Sequence, residues 1–418
     1  MNTKIFDYIN TIRDYSKKEY KNMVRCASGS LKYPFIVPGS LSYSNQLWDW
    51  DSWLTDIAVR QIMYDNCDFD PNFYECEKGC VLNFVINMFP DGVIPIVMDP
   101  SYRPEMFNKN GNMHKPCLAS HAAFIIQNSN GDALWIKPYI NKIKLFVSNY
   151  MLRCRDEKSG LYFWISDNGI GVDNDPCTFY RPNKSSASVY LNCLMYKELE
   201  ALIYICNILG EDCAEYIAEK ENLKKSIQNN LWDERNGFFY SADINFRPVD
   251  PNVNLHSGDP ISWSCLVQKV DVWSGIMVLW AKIATKEQAK RAVRENICRR
   301  DIFWANYGIR SLSPLEPMYK IAKTGNPSCW LGPVWGIQNW ICFEALIRYG
   351  FYDEAKELAV NTITLFGKDI QKNGCMHEYY HPDTGEGVNN PGFLNWNLLV
   401  NNMAAYIEGK KRFTEFEN

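Results

Sequence analysis

The sequence lacks the signatures of several protein classes. No run of roughly 18 apolar residues occurs in its 418 residues, so no membrane span is expected. The N-terminal segment MNTKIFDYINTIRDYSKKEY is polar and has no apolar core of the kind that signal peptides carry. The formal net charge is −4, from 44 Lys and Arg against 48 Asp and Glu, and no block of like charges occurs. Because a nucleic-acid binder needs a basic face, no nucleic-acid partner is expected either.

Motifs for nucleotide cofactors and for serine nucleophiles are also missing. The sequence has no Walker loop, no G-x-G-x-x-G and no G-x-S-x-G, so we expect no cofactor. Its five His give a Ser-His-Asp triad few partners. The 15 Cys are scattered without a CxxC pair, which indicates free and mostly buried thiols in a reducing cytoplasm. A cytoplasmic location is therefore expected, where the sequon at Asn183 would stay unglycosylated.

Apolar periodicity predicts a chain dominated by helices. Strand signals are few and short, at 92–97, 161–164 and 237–240, and they indicate small hairpins in loops. No alternation of strands and helices occurs, which disfavours a doubly wound sheet or a TIM barrel. Twelve helices are predicted, over about 3–23, 51–65, 72–89, 116–128, 134–154, 186–209, 212–231, 271–284, 286–298, 331–349, 352–367 and 394–408.

The lengths of the connections suggest how these helices are arranged. Short turns make antiparallel hairpins, and each even-numbered helix follows a loop rich in polar and aromatic residues. Six hairpins can close into an all-α (α/α)6 barrel, with even helices inside and the long loops and small hairpins on one face. The loops would then converge on one pocket at the helix N-termini, which carry free N–H groups. We therefore expect residues 1–418 to form a single catalytic domain; an open helical solenoid is the alternative.

Aromatic residues are abundant, with 14 Trp, 24 Tyr and 21 Phe. The densest motif, Gln46-Leu47-Trp48-Asp49-Trp50-Asp51-Ser52-Trp53, places indole planes beside carboxylates. Sugars have apolar ring faces and hydroxyl edges, so a wall of this kind suits a small carbohydrate. The alternative is a helix cap, from Asp51 or Ser52, with packed aromatics.

Two further loops carry candidate acids. Asn168-Gly169-Ile170-Gly171-Val172-Asp173-Asn174 places Asp173 beside glycines that would let a substrate approach closely, although such a loop is usually a turn. The segment His377-Glu378-Tyr379-Tyr380-His381 matches the zinc motif H-E-x-x-H, but that motif requires a helix. Here the flanking Gly374 and Pro382 indicate extended chain running into a turn, so no metal is expected. Calcium at Asp49 and Asp51, or at Asp383 and Glu386, is likewise disfavoured because neither pair fits an EF-hand.

Together these motifs resemble a known family. The W-D-W-D-S segment, the G-x-G-x-D-N loop, W-x-G-P-x-W at Trp330 and the late E-Y-Y-x-P-x-T-G occur in this order between about Ser40 and Asn402. The set resembles glycoside hydrolase family 63 and its clan relatives, the trehalases. That resemblance implies an (α/α)6 barrel and hydrolysis of α-glucosidic or α-mannosidic bonds with inversion. It also implies that Asp173 is the general acid and Glu378 the general base.

The length suggests a branch of that family. Only 45 residues precede Gln46, so the N-terminal β-domain of the large members is not expected, and the chain resembles the short bacterial enzymes that hydrolyse mannosylglycerate and glucosylglycerate. A glycerate carboxylate favours a cation in the pocket, for which Lys115, Arg181 and Lys184 are candidates. The expected sugar-binding residues are Trp48, Asp49, Trp50, Asp51, Trp330, Trp335 and Trp396.

Several alternatives stay open at this point. They are a trehalase or another α-glucosidase, a sugar-binding barrel without activity, and a zinc hydrolase. The residues do not fix the sugar, the aglycone, the linkage position or whether the chain forms a homo-oligomer.

Overall fold

A computed structural model describes residues 3–245, 264–322, 325 and 327–417. Within these residues the chain forms twelve α-helices, so all the predicted helices are present, with ends that differ by a few residues. Four of them are extended by 3-10 turns (Tyr20–Met23, Lys137–Tyr139, Trp273–Ile276 and Asn395–Leu399) and one by a π-turn (Val293–Ile297). The helices are α1 (Thr3–Glu19), α2 (Asp49–Asn66), α3 (Pro71–Ile86), α4 (Leu118–Gln127), α5 (Ile140–Arg153), α6 (Val189–Leu209), α7 (Ala214–Asn230), α8 (Met277–Trp280), α9 (Lys286–Ala292), α10 (Gly336–Arg348), α11 (Tyr352–Asn373) and α12 (Val400–Ile407).

The even-numbered helices form a closed inner ring. Consecutive members α2, α4, α6, α8, α10 and α12 are in contact, and α12 contacts α2 to close the circle. The odd-numbered helices pack outside this ring. Burial follows the same division, since α6 is buried on nearly all sides whereas α7 buries only Tyr216, Glu219, Leu223 and Ile227. The predicted (α/α)6 barrel, with even helices inside, is therefore confirmed.

Local sequence explains several helix starts. Asp70 caps α3 by accepting from the backbone N–H of Asn72 at 2.9 Å, and Pro71 occupies the first helical position. Thr285 and Gln288 form a reciprocal capping box at α9. The suggestion that Asp51 or Ser52 caps α2 is wrong. That helix begins two residues earlier, at Asp49, so both side chains lie inside its first turn.

The strands are two-residue pieces in the loops, as predicted. The predicted segment 237–240 contains β7 (Phe238–Phe239), which forms a hairpin with β6 (Trp232–Asp233). The segment 92–97 forms no hairpin: only Val97 belongs to a strand, β4 (Val97–Met98), which pairs with the distant β3 (Leu47–Trp48). The segment 161–164 contributes only an isolated bridge at Tyr162. The pairs are β1–β2, β3–β4, β6–β7, β10–β11 and β12–β13, and β5, β8 and β9 form one three-stranded sheet. The strands are β1 (Val24–Arg25), β2 (Phe35–Ile36), β3 (Leu47–Trp48), β4 (Val97–Met98), β5 (Ser186–Ala187), β6 (Trp232–Asp233), β7 (Phe238–Phe239), β8 (Ala242–Asp243), β9 (Leu266–Val267), β10 (Trp304–Ala305), β11 (Gly308–Ile309), β12 (Val334–Trp335) and β13 (Tyr379–Tyr380).

The segment after α12, residues 408–417, crosses the barrel at the C-terminal ends of the inner helices. Gln61 of α2 donates to the carbonyl of Lys411 at 3.0 Å, and Gln127 of α4 donates to that of Glu417 at 2.9 Å. The ring of Phe416 packs against Tyr204 of α6, with centroids 4.5 Å apart. This C-terminal segment therefore covers the end of the barrel opposite the inner helix N-termini. In the described part of the chain, no helix combines the length and apolarity that crossing a membrane requires.

Candidate active site

A pocket of about 240 Å³ lies at the N-terminal ends of the inner helices, where the long loops meet. Its walls come from the loop before α2 and the start of that helix, from the α3–α4, α5–α6 and α11–α12 loops, and from the segment that leads into α10. The lining residues are Tyr43, Trp48, Trp50, Asp51, Ile96, Lys115, Asn168, Gly169, Gly171, Asp173, Ser328, Trp330, Trp335, Glu378, Phe393 and Trp396.

Most of the residues predicted from the sequence meet in this pocket. Nine of them line it: Trp48, Trp50, Asp51, Lys115, Asp173, Trp330, Trp335, Glu378 and Trp396. Asp49 and Arg181 do not line it. The long loops thus bring together side chains that are more than 300 positions apart in the sequence.

Glu378 is a buried carboxylate surrounded by hydrogen-bond donors. Asn389 donates to its Oε2 at 2.9 Å, Asn390 donates to the same oxygen, and the Tyr43 hydroxyl donates to Oε1 at 3.4 Å. Burial raises the pKa of Glu378 to about 7, although the three donors favour the ionised form. Asp173 contributes to this rise through its negative charge, so the two carboxylates are close enough to interact.

Asp173 lies half-buried in the α5–α6 loop. The glycines before it have left-handed φ angles, +73° at Gly169 and +84° at Gly171. A Cβ atom on Gly171 would lie 2.5 Å from Cε of Lys115, so any other residue here would displace the Lys115 side chain as well as strain the backbone. Directly after Asp173, the Asn174 side chain accepts from the backbone N–H of Trp330 at 2.9 Å. The loop is thereby tied to the chain segment that leads into α10.

Indole rings form the floor and sides of the pocket. Trp330 and Trp335 are stacked, with centroids 4.0 Å apart and an interplanar angle of 8°. Trp335 also packs against Trp396 at 6.2 Å, and Trp396 against Trp50 at 5.3 Å. These rings are largely buried by one another, so they belong to the hydrophobic core and also form the wall of the pocket. Flat apolar surfaces of this kind complement the faces of a sugar ring.

Asp51 is a second buried acid in the pocket. Its Oδ1 accepts from the side-chain amide of Asn395, whose own oxygen accepts from the Thr55 hydroxyl at 3.0 Å. Burial, together with the charge of Asp49, raises the pKa of Asp51 to about 7. A carboxyl group with this pKa can accept from a sugar hydroxyl when ionised or donate to one when protonated.

Asp49 was predicted to bind sugar hydroxyls and Arg181 to bind a glycerate carboxylate, but neither side chain lines the pocket. Asp49 lies behind the wall, where it accepts from Nζ of Lys115 at 2.9 Å and from the Lys115 backbone N–H at 2.9 Å. Arg181 pairs with Asp243 of β8 instead of reaching the pocket. Lys184, the third cation suggested for a glycerate group, is also outside the lining. The departures of Asp49 and Arg181 have one cause: each side chain finds a partner in a neighbouring loop that is distant in sequence.

The H-E-x-x-H segment does not form a helix. Tyr379 and Tyr380 form β13, paired with β12, and His381 accepts backbone N–H groups within the following turn. His377 faces Asp369, with Nδ1 2.9 Å from Oδ2. The two histidines therefore lack the shared helical face that the zinc motif needs. Among the residues that the structure describes, no group of three or more His, Cys, Asp or Glu is arranged to hold a metal.

Several pocket residues were missed by the sequence reasoning. Four of the lining residues lie outside the motifs from which the site was predicted: Tyr43, Ile96, Ser328 and Phe393. Asn389 and Asn390 contact Glu378 from the returning segment of the same loop, where the Glu378 N–H donates to the Asn389 carbonyl at 2.9 Å. The Asn-Asn-Pro-Gly sequence is a turn signal that could have predicted this return, although not the contact.

The fold and the pocket together define a class, the (α/α)6 barrels with an aromatic, carboxylate-lined pocket at the N-terminal ends of the inner helices. Within that class, the chain belongs to the mannosylglycerate hydrolase MGH1-like glycoside hydrolase domain family, whose sequence profile matches residues 45–396.

Individual relatives agree with this assignment. The chain is 34% identical to mannosylglycerate hydrolase MGH2 of Selaginella moellendorffii, over 88% of this chain and 81% of that protein. It is 26% identical to a mannosylglycerate hydrolase of Thermus thermophilus, over 55% of this chain and 48% of that protein. The match with the bacterial relative thus spans about half of that protein's length.

Solved structures share the fold. A GH63 mannosylglycerate hydrolase from Thermus thermophilus, in complex with Tris and D-glycerate, superposes with a TM-score of 0.69 at 18% identity, covering 93% of this chain and 99% of that one. Neutral trehalase Nth1 from Saccharomyces cerevisiae gives a TM-score of 0.62 at 18% identity, covering 90% and 73%. At these identities the likeness concerns the barrel and not the substrate.

Proposed function

We propose that this chain is an inverting α-glycoside hydrolase for a small α-mannoside or α-glucoside, such as mannosylglycerate or glucosylglycerate. The observation that carries the proposal is that Asp173 and Glu378 both line one aromatic pocket and interact through their charges. Relatives named mannosylglycerate hydrolase support this substrate class. The pocket volume of about 240 Å³ lies below the roughly 300–1,000 Å³ typical of sites for larger ligands, which favours a small glycoside.

In this mechanism one carboxyl group is the general acid and the other is the general base. Asp173 donates its proton to the glycosidic oxygen as the bond from that oxygen to the anomeric carbon breaks. Glu378 removes a proton from a water molecule, whose oxygen forms the new bond on the opposite face of the sugar. Because attack and departure occur on opposite faces, an α-glycoside releases the β-anomer of the free sugar. Such a pair needs its carboxyls roughly 6.5–9.5 Å apart so that the water fits between.

A neutral α-linked disaccharide is the second candidate substrate, and one observation favours it. Among the described lining residues, Lys115 is the single Lys or Arg, and Asp49 pairs with it. A glycerate carboxylate would therefore meet an ammonium group whose charge is already compensated. The likeness to neutral trehalase is consistent with this alternative.

A panel of substrates tests the proposal. Purified protein is offered mannosylglycerate, glucosylglycerate and trehalose, and the anomer released first is followed by NMR. We expect β-mannose or β-glucose from at least one glycosylglycerate. Release of the α-anomer would refute inversion, and cleavage of trehalose alone would replace the substrate class.

Matched variants test the two residues. Asp173→Asn and Glu378→Gln should each lower kcat about 10²–10⁴-fold, the usual contribution of a general acid or base. Asp167→Asn and Glu386→Gln change acids of the same two loops that do not line the pocket, and both should retain activity. Full activity in Asp173→Asn would contradict the assignment, whereas binding of sugar without any hydrolysis in the parent protein would indicate a sugar-binding barrel.

We further propose that residues 1–418 act as one catalytic domain, since α1–α12 contribute to a single barrel. A reducing cytoplasmic setting is part of the same proposal. It is supported by the fifteen cysteines, all of which are free thiols and most of which are buried.

A further inference from the structure

A second concave surface lies at the end of the barrel opposite the pocket. It has a volume of about 680 Å³ and is formed where the α8–α9 turn meets the α10–α11 turn. We call this surface the basic groove. Its described lining contains five cations and no acid, in a chain whose net charge is −4. The lining residues are Lys282, Lys286, Lys290, Arg294, Arg348, Tyr349 and Phe351.

Four of these cations follow one another at a spacing of four residues. Lys286 and Lys290 are on α9, and Arg294 is in the π-turn that continues it. Residues four apart share one face of a helix, where like charges repel and destabilise it. The acidic residues of the same segment, Glu287 and Glu295, are not part of the lining, and Glu295 pairs with Arg291. The positive charges are thus concentrated on the side that faces the groove.

The charges of the groove are only partly compensated. Arg294 pairs with Glu354, and Arg348 pairs with Glu415 and Glu417. Lys282 also pairs with Glu417, at 2.9 Å. In the described part of the chain Lys286 and Lys290 take part in none of the ion pairs. Five cations are therefore matched by three carboxylates.

The rim of the groove already binds one carboxylate of the chain, that of Glu417. Glu417 lies in the C-terminal segment and is held between Arg348, at 2.5 Å, and Lys282, at 2.9 Å. Burial alone would raise its pKa, yet the charges of Arg348 and Lys282 lower it to about 2. The rim thus stabilises an oxyanion even where water is partly excluded.

We propose that the basic groove binds a small polyanion that carries two or more linked phosphate groups. From Lys286 to Arg294 the helical rise of about 1.5 Å per residue spans roughly 12 Å, so several cationic head groups follow one another along the groove, as a ligand with linked phosphate groups requires. Lysine ammonium groups bind phosphate as point charges, and arginine binds it through paired N–H groups. Tyr349 and Phe351 add an aromatic wall, which would contact the base of a nucleotide but would leave inorganic pyrophosphate untouched.

Titration calorimetry on the full chain tests the proposal with inorganic phosphate, pyrophosphate and ADP. We expect pyrophosphate to bind at least tenfold more tightly than phosphate, with an affinity that falls as salt rises. Tighter binding of ADP than of pyrophosphate would identify a nucleotide as the ligand, and equal binding would identify the phosphate groups alone. If neither pyrophosphate nor ADP binds more tightly than inorganic phosphate, the proposal is refuted.

A pair of double variants provides the control. Lys286→Ala/Lys290→Ala removes the two lysines without ion pairs and should weaken pyrophosphate binding at least tenfold. Lys4→Ala/Lys17→Ala removes the same charge from α1, which packs on α2, α11 and α12, and should bind as the parent does. Equal affinity in the two double variants would show that any binding is nonspecific and would refute the site. Circular dichroism and activity toward the glycoside substrate check that both variants are folded.

Discussion

At the scale of single residues, Glu378 experiences two opposing influences. Burial raises its pKa to about 7, while Asn390, Asn389 and Tyr43 donate hydrogen bonds that favour the carboxylate. In the proposed mechanism Glu378 is the general base, and a general base acts only when it is ionised. Since the pKa is raised above the ordinary value, the active form is present above about pH 7 and is lost as the pH falls through that value.

The first prediction concerns this balance. Asn389→Ala removes one donor, so the pKa of Glu378 should rise further and the acid limb of kcat/KM should move to higher pH. The measurement is a pH profile of kcat/KM for the parent and the variant. Asn306→Ala, at an exposed amide away from the pocket, should leave the limb in place. A loss of activity without any displacement of the limb would mean that Asn389 does not tune the ionisation of Glu378.

A second prediction concerns Gly171. Gly171→Ala would place a Cβ at a φ of +84°, 2.5 Å from Lys115 and 3.0 Å from Trp50. The left-handed backbone costs about 1–2 kcal/mol, and the overpacking costs about 1–3 kcal/mol more. Gly210→Ala is the matched control, because Gly210 has a φ of +71° and no heavy atom within 4 Å of the added Cβ. Denaturant unfolding should show the larger loss in Gly171→Ala, and equal losses would mean that the close approach costs nothing.

At the scale of elements, a buried ion pair joins the start of α2 to the loop before α4. Lys115 and Asp49 are almost fully buried, with side-chain exposures of 1% and 0%. Lys115 also lies 5.1 Å from the centre of the Trp50 ring. The pair therefore fixes two of the loops that form the pocket, and removal of one member would leave the other charge buried without its partner.

This pair gives the third prediction. Lys115→Met should lower the free energy of unfolding by about 3–5 kcal/mol, because the charge of Asp49 stays buried. Asp49→Asn/Lys115→Met removes both charges and should recover part of that loss. Lys144→Met breaks the more exposed pair with Glu211 and should cost less than about 1 kcal/mol. If the loss of unfolding free energy in the double variant equals the sum of the losses in Asp49→Asn and Lys115→Met measured separately, the two charges are not coupled.

At the scale of the whole molecule, the C-terminal segment connects the inner ring. Its contacts include Gln61, Gln127 and Arg348, which belong to three different inner helices. Glu415 and Phe416 are each only 1% exposed. A segment that contacts several helices at once stabilises the closed ring more than any one of its contacts would.

The fourth prediction tests this role. Phe416→Ala should lower the free energy of unfolding by about 3–5 kcal/mol, because it empties a buried site between helices. Leu152→Ala truncates a side chain that is 85% exposed and should cost less than about 0.5 kcal/mol. Chemical denaturation of both variants provides the comparison. Similar midpoints would mean that the segment packs on the barrel without stabilising it.

Local sequence was enough to predict the helices and their arrangement. Apolar periodicity and breakers are local properties, and the alternation of short turns with long polar loops already distinguished inner from outer helices. The family resemblance carried by the order of the motifs pointed to Asp173 and Glu378, and both side chains line the pocket. The close approach of a substrate that the glycines before Asp173 suggested stays a prediction. Periodicity, breakers and turn signals depend on neighbours within a few residues, which is why they can be read from one chain.

Which side chains meet depends instead on the closed fold. Asp49 and Arg181 resembled pocket residues, yet Lys115 and Asp243 pair with them, because a charge in a folded protein goes to the nearest opposite charge in space. Tyr43 reaches Glu378 across 335 positions of sequence. The basic groove likewise exists only because two turns that are distant in sequence, one at Lys282 and the other at Tyr349, meet at one end of the barrel. Ionisation and ligand contact depend on burial and distance, and both are set by the closed ring.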